Sequence, residues 1–174
     1  MENLIQFDAD SLGLVEKIKA RYPEGKQKSA ILPILHMAQA EFGGWLSPET
    51  MEYVAGLLGI QPIEVYEVAT FYSMFNLKPV GKCVLEVCRT GPCWLNGAED
   101  IVAHLEKKLN IKAGETTEDG MFTLKTVECL AACGGAPVIQ VGLDYHENLS
   151  IEKVDEMLET FIKEEKVSST NPYK

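Results

Sequence analysis

No apolar run in this chain approaches the ~20 residues that a membrane-spanning helix requires, so direct insertion into a bilayer is not expected. Positive charge is in deficit. Lys and Arg number 16 against 26 Asp and Glu, a net charge of −10. That balance excludes nucleic acid as a partner, because phosphates are met by a cationic surplus, and it disfavours adsorption to anionic lipid. Phosphate-cradling glycine loops are missing too. There is no G-x-G-x-x-G following a strand and no P-loop, so the chain is not expected to bind a dinucleotide or flavin itself. Histidine is scarce. His36, His104 and His146 are scattered without ligand spacing, and each is expected at the surface or in a satisfied structural position. The segment Met1–Asp8 has no basic stretch leading into an apolar one, so a secretory signal is not expected. Without one, the five cysteines read as reduced thiols or metal ligands rather than as a disulfide framework, and the expected location is cytoplasmic.

What is present suits a globular chain with a packed interior: 174 residues, 46% hydrophobic and 24% charged. Over roughly the first 76 residues the apolar positions recur at helical spacing. Leu12, Leu14, Val15 and Ile18 mark a short helix ending near Tyr22-Pro23. Ile31, Leu32, Leu35, Ala38 and Phe42 mark a second from Gln27 to Phe42, in which Pro33 is tolerable only near the first turn. Ser47 can cap a third, with Pro48 at its first position and Gly59 at its end. Pro62 opens a fourth that is expected to continue through Thr70 to Phe75. The aromatic residues Trp45 and Phe71 to Phe75 are read first as bundle core, with a partner-docking patch as the sharper reading.

Lys78-Pro79-Val80-Gly81-Lys82 breaks the composition, and the pattern changes after it. Cys83 to Cys88 reads as a strand. Leu95, Ala98, Ile101, Val102, Leu105 and Leu109 form one amphipathic helical stripe. Strands are expected over Met121–Val127, Pro137–Val141 and Asp144–Leu149, and Ser150 caps a last helix through Ile162. The order is close to βαβββα, an α/β arrangement with helices on a sheet. A helical region over residues 1–78, an α/β domain over 79–166 and a flexible tail over 167–174 follow.

Four of the cysteines, Cys88, Cys93, Cys129 and Cys133, form the pattern C-x4-C-x35-C-x3-C. Each pair is expected where a strand meets a turn. Cys93 would open a helix, where the dipole favours the thiolate, and the Gly134-Gly135 backbone would come close enough to donate amides to sulfur. On residue types alone four readings stay open, in falling order of preference. They are a [2Fe–2S] cluster with two thiolates per iron, a structural zinc, whose pairs are more often C-x2-C, a thiol–disulfide centre, and plain buried thiols. Cys83 is five residues before Cys88, so the two side chains point to opposite faces of a strand, and Cys83 is read as a structural core thiol.

The chain resembles the thioredoxin-like [2Fe–2S] ferredoxin family that includes an iron–sulfur subunit of NADH:quinone oxidoreductase (complex I, an NADH dehydrogenase). The resemblance is carried by Gly43-Gly44-Trp45-Leu46-Ser47-Pro48-Glu49, Val68-Ala69-Thr70-Phe71-Tyr72-Ser73-Met74-Phe75 and Pro79-Val80-Gly81-Lys82. It extends through Val87-Cys88-Arg89-Thr90-Gly91-Pro92-Cys93 and Cys129-Leu130-Ala131-Ala132-Cys133-Gly134-Gly135-Ala136-Pro137. It implies a thioredoxin-like α/β domain over 79–166 and a [2Fe–2S] cluster held by Cys88, Cys93, Cys129 and Cys133. It implies an N-terminal helical region that docks on the flavin- and NADH-binding subunit of the same complex, with FMN and NADH on that partner, and contacts with further complex I subunits. The chain would then hold no complete active site of its own. It would sit at the inner face of the cell membrane as part of a complex. Arg89 beside the first ligand is expected to ease the addition of an electron. Two alternatives remain: the diaphorase part of an NAD-linked hydrogenase or formate dehydrogenase, and a zinc-stapled interaction domain.

Overall fold

A computed structural model describes residues 5–168, 172 and 173, and the chain parts into two compact units between Pro79 and Val80. The first unit is helical. Asp8 caps α1 (Ala9–Lys19) by accepting from the Ser11 amide at 2.7 Å. A single 3-10 turn over Gln27–Ala30 leads into α2 (Ile31–Glu41). Pro33 falls in the first turn of α2, where its missing N–H leaves no bond unmade. The Ser47 hydroxyl accepts from Thr50 N at 3.1 Å to start α3 (Pro48–Leu58), and Gly59 closes that helix at φ 64°. These helices share one core in which Val15, Ile18, Ile34, Leu35, Leu46, Val54 and Val65 have no exposed surface.

Helix α4 (Pro62–Phe71) stops four residues short of the expected Phe75. Tyr72 turns extended at ψ 118°, and Phe75 N closes a tight turn onto Tyr72 O at 3.1 Å. A buried glutamine holds the chain there. Gln39 donates to Met74 O at 3.1 Å and accepts from Asn76 N at 2.7 Å, acting as a short backbone partner for a segment that has left the helix. The turn buries Phe75 (5% exposed) and leaves Phe71 at 79%, so the aromatic run divides between core and surface.

The second unit is a four-stranded mixed sheet with its long helices packed into one core, which makes the chain α/β. The strands are β1 (Cys83–Cys88), β2 (Phe122–Val127), β3 (Ile139–Val141) and β4 (Asp144–His146), in the order β2-β1-β3-β4. β1 and β2 are parallel, from Cys83 opposite Phe122 to Cys88 opposite Val127. β3 lies antiparallel to β1, and β4 antiparallel to β3. Cys83, Leu85 and Val87 point into a core built with Ile101 and Leu105 of α6 (Ala98–Leu109) and Val154, Leu158 and Phe161 of α7 (Ile151–Lys163). Ser150 caps α7 by accepting from Lys153 N.

The expected single helix from Leu95 is two pieces. A five-residue α5 (Gly91–Leu95) is separated from α6 by Gly97 in the left-handed region at φ 92°. Leu95 therefore leaves the apolar stripe and is 76% exposed. In the stretch expected to be a tail, Ser168 N donates to Lys82 O at 2.8 Å and its hydroxyl accepts from Val84 N. Tyr173 packs against the helical core, and residues 169–171 and 174 lie outside the described residues. No described helix is long and apolar enough to cross a membrane.

Candidate metal centre

Parallel strands in register deliver their C-terminal loops to one edge of a sheet, which is where ligands bind in open α/β sheets. β1 ends at Cys88 and β2 at Val127, directly opposite each other. The loop after β1 turns through Arg89-Thr90 into α5, which carries Cys93. The loop after β2 carries Cys129 two residues beyond the strand, turns through Ala131 at φ 59°, and reaches Cys133 in a 3-10 turn. Arg89 N to Val127 O (3.1 Å) and Cys88 N to Val138 O (3.1 Å) tie the two loops to the same edge.

The four sulfurs gather as two pairs. Cys88 and Cys93 lie close enough to shift each other's acidity, and Cys129 lies close enough to Cys133 to shift its acidity. The pairs also lie close enough to each other for Cys133 to feel the charge of Cys88. The inner pair is buried, at 3% and 2% exposed, while the outer pair is exposed. Among the described residues no three Cys, His, Asp or Glu side chains close around a single metal ion. Two thiolates per iron is what a binuclear cluster requires, and two thiol pairs are what these loops present. The donor set therefore fits a [2Fe–2S] centre.

The thiols differ in acidity. Burial works against the Cys88 thiolate, yet the amides of Thr90 and Leu130, the Thr90 hydroxyl and the Cys93 thiol outweigh it and bring Cys88 below the ordinary thiol value. Cys93 goes the other way. Burial first, then the neighbouring Cys88 side chain, pushes it up to about 11, so the expected helix-start activation of Cys93 is not found. A five-residue helix aligns too few peptides to offset burial beside a second sulfur. The neighbouring Cys129 side chain likewise raises Cys133.

One further expectation is corrected in part. Gly135 does not serve as an amide donor to sulfur. Its N–H goes to Ala132 O at 3.0 Å, and a Cβ at that position would stand 2.5 Å from Glu147 Cδ. The amide contacts to sulfur come instead from Thr90, Leu130, Val138 and Ala131, the last at 3.4 Å from Cys129. Nothing in a sequence distinguishes these amides, because every residue but proline has one. Arg89, expected to favour electron uptake, is paired at the surface with Glu99 (Nε to Oε1 2.8 Å).

Cys83 takes no part in the site. It is fully buried on the opposite face of β1 and donates to Lys166 O at 3.1 Å. His104 is satisfied by Asp155 at 2.6 Å. His146 departs from expectation, because its Nε2 is buried with no hydrogen-bond partner among the described residues.

The family model described as thioredoxin-like [2Fe-2S] ferredoxin matches residues 15–162. The chain is 50% identical over 161 residues to an NADH-quinone oxidoreductase subunit of Rickettsia felis, spanning 92% of this chain and 96% of that protein. It is 48% identical over 155 residues to the corresponding subunit of Rhizobium meliloti, covering 89% and 90%. Among solved structures, an NAD+-reducing [NiFe]-hydrogenase in the air-oxidised state superposes with a TM-score of 0.67 at 18% identity, over 77% of this chain and 23% of that one. At that identity the likeness concerns the fold alone.

Proposed function

The chain belongs to the thioredoxin-like [2Fe-2S] ferredoxin family, and on that footing we propose that it is an electron-transfer subunit of an NADH:quinone oxidoreductase. In this reading Cys88, Cys93, Cys129 and Cys133 hold the cluster, and single electrons are exchanged with the flavin of a partner subunit that also binds NADH. The observation that carries the reading is the convergence of two thiol pairs at the C-terminal edge of β1 and β2, in a chain about half identical to subunits of NADH-quinone oxidoreductases. When bound, the cluster supplies a one-electron acceptor, whereas hydride chemistry needs a nicotinamide and a flavin.

The residues of the chain define how such a centre is held. The inner pair, Cys88 and Cys93, is enclosed with Ala98 and Val138, so one side of the site excludes water. The outer pair, Cys129 and Cys133, reaches the surface, where a redox partner can approach. Backbone amides from both loops point to the sulfurs and stabilise their negative charge.

The purified chain should be red-brown, with about two irons and two acid-labile sulfides per chain. In complex with the flavin-bearing partner, its centre should be reduced by NADH. A colourless protein holding one zinc overturns the cluster, and a cluster that NADH leaves oxidised in that complex overturns the exchange with flavin.

A further inference from the structure

Thr90 stands at the N-cap of α5 with an extended backbone, φ −103° and ψ 153°. A threonine hydroxyl in that position ordinarily accepts from an amide of the first helical turn. Here it makes no capping bond. Its Oγ1 lies instead 3.6 Å from Cys88 Sγ, within reach for a hydrogen bond to sulfur. A metal-bound thiolate carries no proton, so in the loaded site the hydroxyl must be the donor. Apart from the contacts between the thiols themselves, the contacts to ligand sulfurs described above come from backbone amides, which no substitution removes cleanly. Thr90 offers a side-chain donor that can be deleted.

We infer that the Thr90 hydroxyl is a positioning residue for the proposed cluster, one that donates to Cys88 and raises the reduction potential of the centre. The inference rests on the reading that the four cysteines hold a [2Fe–2S] cluster. One electron entering that centre takes its formal charge from about −2 to about −3, with no protein bond made or broken and no proton moved. Negative charge on the sulfurs grows, and a hydrogen bond to a more charged acceptor is stronger. The donor therefore favours the reduced state over the oxidised one. Cys88 is 3% exposed, so water is poorly placed to replace the hydroxyl once it is gone.

The test uses the full chain carrying its cluster, titrated with dithionite against redox dyes, with iron and sulfide content and the electron paramagnetic resonance spectrum recorded for each variant. Thr90→Val keeps the shape and removes the donor, and Thr90→Ser keeps the donor and removes the methyl group. Thr90→Val should lower the ratio of reduced to oxidised centre at fixed poise by about three- to tenfold, a tenfold change being 59 mV for one electron. Thr90→Ser should stay within about twofold of the parent, a shift under 20 mV on the same scale. Should Thr90→Val fail to take up iron, Thr90→Ala removes the same donor in a smaller side chain and must lower the ratio likewise. A loaded donor-less variant at the parental potential, or a Ser variant shifted as far as the Val variant, overturns the inference while leaving the cluster in place. Parent protein without iron and sulfide overturns the cluster reading and this inference together.

Discussion

Cys83 and Cys88 share one strand and end in different chemistry, because an odd separation along β1 sends their side chains to opposite faces. Cys83 is sealed in the core, where burial raises its pKa and keeps it a neutral thiol. Cys83→Ser should leave the visible absorption of the centre intact and cost about 1 kcal/mol of stability, read by urea unfolding, since a hydroxyl can keep the bond to Lys166 O but gains nothing from an apolar site. Bleaching in that variant would place Cys83 in the metal centre after all. The histidines make a second prediction at this scale. Burial lowers the pKa of His36, and burial followed by the charge of Lys166 lowers that of His146. The unfolded chain then binds more protons than the folded one below about 6.5. Their contribution to stability is complete above that pH and is lost as pH falls toward the depressed folded values. Urea midpoints measured from pH 7.5 to pH 5 should fall, and should fall less steeply in a His36→Gln/His146→Gln double variant. Equal slopes would show that neither imidazole is kept neutral by the fold.

Among the elements, the parallel pair β1–β2 matters most, since its register sets both ligand loops. Its entry point is tight. A Cβ on Gly81 would lie 2.9 Å from the backbone N and C of Phe122 and 3.0 Å from Gly120 O, and the Gly81 amide donates to Thr123 Oγ1 at 2.7 Å. Backbone cannot step aside as a flexible side chain can. Gly81→Ala should therefore destabilise the fold by roughly 1–3 kcal/mol, measured as a lower urea midpoint. An unchanged midpoint would mean that the strand entry is looser than the structure shows. Other elements were legible in the sequence for local reasons. Ser47-Pro48 and Ser150 announce helix starts through side-chain caps, which depend only on neighbours along the chain. The end of α4 was not legible, because it depends on Gln39, 35 residues from the Met74 carbonyl to which it donates. The split between α5 and α6 did leave a signal. Asn96-Gly97 is a turn-forming dipeptide, masked by an apolar spacing that runs straight through it.

Among the described residues the buried apolar side chains gather in a core of helices alone, a core of sheet and helices, and a small cluster around Cys88 and Cys93. The helical unit leaves the large apolar side chains Ile63 at 63%, Phe71 at 79% and Leu77 at 40% exposed. In the proposed complex these side chains would meet the flavin-bearing partner. Phe71→Asp should weaken co-purification with that partner by roughly tenfold or more, as a charge placed on an apolar contact does. Its unfolding midpoint should stay within about 0.5 kcal/mol of the parent and its cluster spectrum should not change. Full co-purification would assign docking to another surface. Taken alone, the sequence determined the ligand types and their spacing, the helical caps, the change from helical to strand periodicity after Pro79, and the motifs that carry the family. All of these are properties of near neighbours along the chain. Only the tertiary structure decided which amides reach the sulfurs, and that Cys88 and Cys93 are buried while Cys129 and Cys133 are exposed. It also decided that Glu99 engages Arg89 and that the Thr90 hydroxyl faces Cys88 rather than capping a helix. Those outcomes depend on which groups a parallel register brings across space to one sheet edge, and linear spacing carries no record of that.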